Sequence, residues 1–155
     1  MTEHDVANYG FARPPLIYLA AITAGVLLHL AWPTPIVPVT LPPFAPPILV
    51  FGAVALFAWS TRTFQSAGTP VPGNRPTTVI VRTGPYRFSR NPIYLAFSLL
   101  HLGISLWVNS AWLLSTLALA ITVMTYLVIP REERYLERRF GEDYLQYKAV
   151  VRRWF

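Results

Sequence analysis

Four runs of mainly apolar residues leave this 155-residue chain few ways to fold in water. They occupy residues 15–32, 47–64, 92–108 and 111–129. Crossing the hydrocarbon core of a bilayer takes about 20 such residues, within a range of about 17–25. No Asp, Glu, Lys or Arg lies in the central part of any run, and Arg62 stands at the trailing end of the second. As core helices of a soluble protein, the four runs would need amphipathic partners to cover them, and the rest of the chain is too short to supply those. Charged residues make up 13% of the chain, against about 25% in soluble domains. A hydrophobic content of 54% excludes a disordered chain. The first run follows Glu3, His4 and Asp5 and ends at Trp32-Pro33. Neither flank suits a cleaved signal peptide, so the run is expected to be a retained span.

The expected fold is all-α: an integral membrane protein with about four transmembrane helices in a single membrane-embedded domain over residues 1–155. Asn109-Ser110 makes the last two spans a tight helical hairpin. Residues 33–46 are rich in proline and carry no charge, which excludes a helix interior there. Beyond Pro130, Tyr135, Leu136, Arg139 and Phe140 recur at helical spacing. They predict an amphipathic C-terminal helix on the membrane surface, ended by Gly141. Cysteine is absent, which removes disulfides, thiolate metal sites and a cysteine nucleophile.

The charges are placed unevenly. Apart from Arg13, before the first span, every Lys and Arg falls either in 62–90 or in the tail after Pro130. The 33–46 loop and the Asn109-Ser110 turn have none. The positive-inside rule then puts both termini and the 65–91 loop on the cytoplasmic side, of the cell inner membrane if the source is bacterial. The net charge of +6 is accounted for by this topology and by attraction to an anionic leaflet, without nucleic acid. The two hairpins have unlike loops and flanks, unlike an inverted-repeat transporter. An ion-coupled transporter also tends to carry an acid within a span, and none is present.

Two clusters carry chemistry. The first reads Gly84-Pro85-Tyr86-Arg87-Phe88-Ser89-Arg90-Asn91-Pro92-Ile93-Tyr94. Gly-Pro marks a turn, Pro92 suits the first turn of the third helix, and Asn91 is the expected N-cap, its side chain accepting from an early amide. The second begins with Glu132 and Glu133 at the mouth of the fourth span and runs to Tyr144 and Tyr147. Solvated Glu–Arg pairs account for Glu137 and Arg138 but poorly for two adjacent acids at a span's end. Asn91, Tyr94, Ser98, His101 and Ser105 share one helical face, as polar groups do when they face protein or a water-filled cavity.

In order and spacing these residues resemble the isoprenylcysteine carboxyl methyltransferase family and its relatives, the phospholipid methyltransferases. The family pattern is Gly-Pro-Tyr-Arg, Arg-His-Pro-x-Tyr, a helical hairpin, Glu-Glu and Phe-Gly-x-x-Tyr-x-x-Tyr. Here it reads Gly84-Pro85-Tyr86-Arg87, Arg90-Asn91-Pro92-Ile93-Tyr94, Glu132-Glu133 and Phe140-Gly141-Glu142-Asp143-Tyr144-Leu145-Gln146-Tyr147, over roughly residues 60–155. Asn91 replaces histidine, which an amide cannot match as a cation.

The resemblance implies an integral membrane transferase that uses S-adenosylmethionine, with a cofactor pocket made by loop 65–91 and tail 130–155. Carboxylates suit the cofactor's ammonium or ribose diol, which points to Glu132 and Glu133. Charge-assisted bonds suit its carboxylate, which points to Arg87, Arg90 and Asn91. Tyrosine faces suit the sulfonium, which points to Tyr86, Tyr94, Tyr144 and Tyr147. Pro92 and His101 complete the candidate cofactor-binding set, and Arg87 and Arg90 are the candidate catalytic residues, holding an anionic group. The stretch 68–72 is a candidate wall. No strand with a glycine-rich loop is present, so the site is expected to be built from helices and loops. The acceptor is expected to be lipophilic, entering from the inner leaflet. A carboxylate, already ionised and needing no base, is favoured over a phospholipid amine. A non-catalytic membrane binding or scaffold protein and a sterol-reductase-like enzyme are the remaining alternatives.

Overall fold

The computed structural model describes residues 13–36, 41–69 and 77–154. Proline opens three of the helices, where its missing N–H costs nothing and its fixed φ suits the first turn. These are α1 (Pro14–Ala31), α2 (Ala45–Ser66) and α3 (Pro92–Val108). The α3 helix ends at Asn109, a non-glycine residue in the left-handed region (φ 53°). Ser110 then caps α4 (Ala111–Val123) by accepting from the Leu113 N–H, closing the expected hairpin.

The structure departs from the expectation at Pro130. No break separates the fourth span from the amphipathic helix: α4 runs through a wide π turn, Met124–Val128, into α5 (Ile129–Phe140). A proline inside a helix lacks a donor and pushes on the carbonyl four residues back. The wide turn accommodates this, with the Ile129 N–H reaching back to the Met124 carbonyl. Gly141 ends α5 at φ 54°, and α6 (Glu142–Val150) follows.

The helices Pro14–Ala31, Ala45–Ser66 and Ala111–Phe140 are long and apolar enough to cross a membrane; Pro92–Val108 is apolar but shorter, at 17 residues. The continuous Ala111–Phe140 helix has 30 residues, a length of about 45 Å. The hydrocarbon core is about 30 Å thick. The apolar part ends at Ile129, and charge begins at Arg131, so the last third projects beyond the core. Large side chains face outward without cover, including Leu30, Phe51 and Leu119, at 72%, 72% and 62% exposure. The protein is an all-helical integral membrane protein, and lipid is the partner these surfaces require.

Helix α2 packs along α3, and α1 packs along α4. The first contact is close because Gly103 lacks a side chain: a Cβ there would stand 2.8 Å from Val50 Cγ2 and 3.2 Å from the Val50 amide nitrogen. A buried cluster of Tyr18, Tyr94, Leu117, Ala120, Met124, Val128 and Ile129 ties α1, α3 and α4–α5 together at the charged end of the bundle. A 3₁₀ turn, Gly84–Arg87, leads into α3. Gly84 has φ 58°, and its missing Cβ lets the turn rest on α2: a Cβ there would stand 2.7 Å from Thr63 Oγ1.

Candidate functional site

A cavity of about 210 Å³ opens at the charged end. Its polar wall is made by Tyr86, Arg90, Asn91 and Tyr94 before and within α3, and by Glu132, Glu133, Tyr144 and Tyr147 from α5 and α6. Pro92 lines it too. These residues come from segments up to 61 positions apart, joined by Tyr147 Oη donating to the Tyr86 carbonyl at 2.8 Å. The apolar walls are Phe57 and Phe64 of α2, Ile93 and Phe97 of α3, Ile129, and Pro14-Pro15 of α1.

Helix geometry separates the two adjacent glutamates. Successive residues on a helix point about 100° apart, so Glu132 and Glu133 meet different partners. Glu132 Oε1 accepts from Tyr94 Oη at 2.6 Å. Burial raises its pKa to about 7, against the pull of the Tyr94 hydrogen bond, and the neighbouring Glu133 charge pushes the same way. Glu133 is 6% exposed and saturated with cations. Arg153 grips it in bidentate fashion, Nε to Oε1 at 3.0 Å and Nη2 to Oε2 at 2.7 Å. Arg90 Nη1 stands 3.2 Å from Oε1, and Lys148 Nζ 3.9 Å from Oε2.

Arg90 itself is almost fully buried, its side chain 10% exposed. Its Nε and Nη1 have no hydrogen-bond partner among the described residues; the approach to Glu133 is close enough for attraction but poorly aimed for a hydrogen bond. The Tyr86 hydroxyl is likewise buried and unpartnered among the described residues. Burial, with the nearby Tyr147, lifts the Tyr86 hydroxyl well above the usual phenol range, and burial does the same for Tyr147. Tyr144 is pushed up to about 12 by burial, with the Arg90 guanidinium opposing. All three phenols are therefore neutral donors at physiological pH. Buried donors without partners are uncommon in native structures, and the residues that carry these, Arg90 and Tyr86, both line the cavity.

Asn91 does not cap α3 with its side chain, contrary to the sequence expectation. Its Nδ2 instead donates to the Arg153 carbonyl at 3.0 Å, and its amide donates to Ser89 Oγ at 3.1 Å. The C-terminal tail competes for the side chain and wins, because the Arg153 carbonyl also needs donors there. Ser89 Oγ supplies another at 3.2 Å, and the Arg90 amide donates to the Arg152 carbonyl at 3.0 Å.

Two of the candidate residues stand away from the cavity. Arg87 is exposed, its guanidinium 5.9 Å from the centre of the Phe88 ring. His101 is fully buried two helical turns further along α3, with Nε2 3.4 Å from Thr116 Oγ1 of α4. Of the 68–72 stretch, residues 70–72 lie outside the described residues, while Thr69 Oγ1 accepts from the Thr78 amide at 2.9 Å. Ser98 joins the α3 polar face to α1 through Tyr18 Oη at 2.7 Å, an interhelical bond of the kind that ties membrane helices together. Sequence reasoning passed over Arg153, which has no motif around it and meets Glu133 only because the tail turns back along α5.

A sequence profile described as phospholipid methyltransferase matches residues 43–143, from just before α2 into α6. The chain belongs to the phospholipid methyltransferase family. The match takes in the Gly-Pro-Tyr-Arg turn, the start of α3 and the Glu132-Glu133 pair, so a membrane methyltransferase frame holds the cavity. Helix α1 lies outside the matched range. An uncharacterized protein of Haemophilus influenzae is 42% identical over 64 residues, 40% of this chain and 98% of that protein. The nickel-cobalt-cadmium resistance protein NccN of Alcaligenes xylosoxydans xylosoxydans is 37% identical over 68 residues, 44% of this chain. That match spans about a third (32%) of NccN. No solved structure matches the chain.

Proposed function

We propose that this protein transfers a methyl group from S-adenosylmethionine to a lipophilic acceptor, with a carboxylate as the methylated group, on the cytoplasmic side of its membrane. The observation that carries this reading is the cavity's division into a polar wall with unmet donors and an apolar wall continuous with the spans. The polar groups suit an amino-acid end. Arg90 offers buried donors to a carboxylate, and Glu132 offers an acceptor to an ammonium or a ribose diol. Tyr86, Tyr144 and Tyr147 present neutral aromatic faces to a cation. When bound, S-adenosylmethionine supplies an electrophilic methyl on its sulfonium. The chain's own work is to fix the zwitterionic end, to exclude water by Phe57, Phe64 and Phe97, and to admit an apolar acceptor beside Pro14-Pro15. Orientation with both termini cytoplasmic rests on the placement of the thirteen basic residues.

A second reading takes the acceptor as a phospholipid amine. Glu132, held near neutrality by burial, is a base that such an amine would need and that the sequence did not reveal. Protein in liposomes with methyl-labelled S-adenosylmethionine and both acceptor classes separates the two. A label released by mild base is an ester and supports the first reading. A base-stable label on the amine supports the second, and no transfer to any acceptor contradicts both.

A further inference from the structure

We propose that Arg153 is a positioning residue of the cofactor site, one that keeps Arg90 available by occupying Glu133. The inference rests on the methyltransferase reading above. Arg90 and Arg153 flank the same carboxylate, but only Arg153 meets it with aligned hydrogen bonds, at 3.0 and 2.7 Å. The bidentate guanidinium takes one lone pair on each oxygen and fixes the carboxylate's orientation, so Arg90 meets it as an ion pair at 3.2 Å without an aligned hydrogen bond. Arg90, which lines the cavity, is therefore held beside a negative charge that stabilises its own charge yet leaves the hydrogen-bonding capacity of Nε and Nη1 unused among the described residues. Glu137 takes the nearby Lys148 at 2.5 Å, so Lys148 competes little for Glu133.

The tail's backbone fixes the same arrangement. Carbonyls of Arg152 and Arg153 accept from the Arg90 amide, Ser89 Oγ and Asn91 Nδ2, which sets the segment carrying Arg90 against the residue that holds its counter-charge. Asn91, at the position where the family pattern has histidine, is thus committed to the tail through its amide. Without the Arg153 side chain, Glu133 would turn its freed lone pairs on Arg90, and the anion site would close on itself.

The test compares two nucleosides that differ at the end Arg90 is proposed to hold. S-adenosylhomocysteine carries the amino-acid end, and 5′-methylthioadenosine lacks it. Calorimetry on purified wild type is expected to show tighter binding of S-adenosylhomocysteine. Arg153→Ala should lose that preference, weakening S-adenosylhomocysteine by about ten- to a hundredfold while leaving 5′-methylthioadenosine within about twofold. Glu133→Gln combined with Arg153→Ala should restore most of it, because the captor of Arg90 is gone. If Arg153→Ala cannot be purified folded, Arg153→Lys carries the test, with a smaller loss confined to S-adenosylhomocysteine. Equal weakening of both nucleosides, no weakening of either, or a double variant worse than the single would overturn the positioning role. Wild type that binds neither nucleoside would instead overturn the methyltransferase reading, and this inference with it.

Discussion

The two halves of the molecule are held together by different kinds of bond. In the apolar shaft, hydroxyls mostly bond to their own helix: Ser60 to the Leu56 carbonyl, Ser105 to His101 and Thr122 to Ala118, all one turn back. Cohesion between helices there comes mainly from close packing, as at Gly103 against Val50, with a few cross-helix bonds such as Tyr18 to Ser98. At the charged end the bonds are long-range: Tyr94 to Glu132, Tyr147 to Tyr86, Asn91 and Glu133 to Arg153. The shaft satisfies most of its hydroxyls locally because lipid offers no alternative, while Nδ1 of His29 and of His101 is buried there without a hydrogen-bond partner among the described residues. The charged end spends its polar groups on joining distant segments, and it leaves a few buried and unbonded. That joining of distant polar segments around a cavity distinguishes the charged end as the candidate site.

Substitutions can break this contrast in a graded way. The largest effect is expected at Arg90→Ala, which removes the unbonded donors. Affinity for S-adenosylhomocysteine should fall by about ten- to a hundredfold by calorimetry, with the melting temperature affected less than by changes in the shaft. Acidity should act through the same wall. Glu132 is raised to about 7 by burial, so in the free protein it is protonated below that value. Pairing with an ammonium requires the charged form, and binding then costs proton release at low pH. Affinity should climb by up to about tenfold per pH unit below 7 and level off above; a titration series from mildly acid to mildly basic buffer checks the slope.

The shaft should respond in the opposite sense. Gly103→Ala forces a Cβ against the Val50 backbone, an overpacking expected to cost about 1–3 kcal/mol. A thermal melt in detergent should shift down, while the folded fraction binds S-adenosylhomocysteine as wild type does. The smallest effect is expected at Arg87→Ala. Its exposed guanidinium stands away from the cavity, and affinity should stay within about twofold, as for an exposed surface charge.

These contrasts also explain what could be read from the sequence. The spans were legible because membrane residence writes itself into long uncharged runs, and α3 begins and ends where Pro92 and Asn109 punctuate it. The turn at Gly84 and the tyrosines of α6 were legible as an ordered motif set. The continuity of α4 into α5 was not, because a π turn that absorbs Pro130 has no compositional mark. Nor was the division between Glu132 and Glu133, which are neighbours in sequence and face different partners only once the tail has turned back. Asn91 read as a local cap for the same reason: local rules rank its nearest amides, while the actual acceptor lies 62 residues away.

The central claim is that Glu132 and Arg90 together receive a zwitterionic amino-acid end in this cavity. Calorimetry with S-adenosylhomocysteine on wild type and on Glu132→Gln, at mildly basic and at mildly acid pH, tests it most directly. The account predicts binding by wild type that strengthens with pH, and weaker binding by the variant with no such dependence, since the amide does not titrate. Binding by Glu132→Gln that matches wild type at both pH values would contradict it.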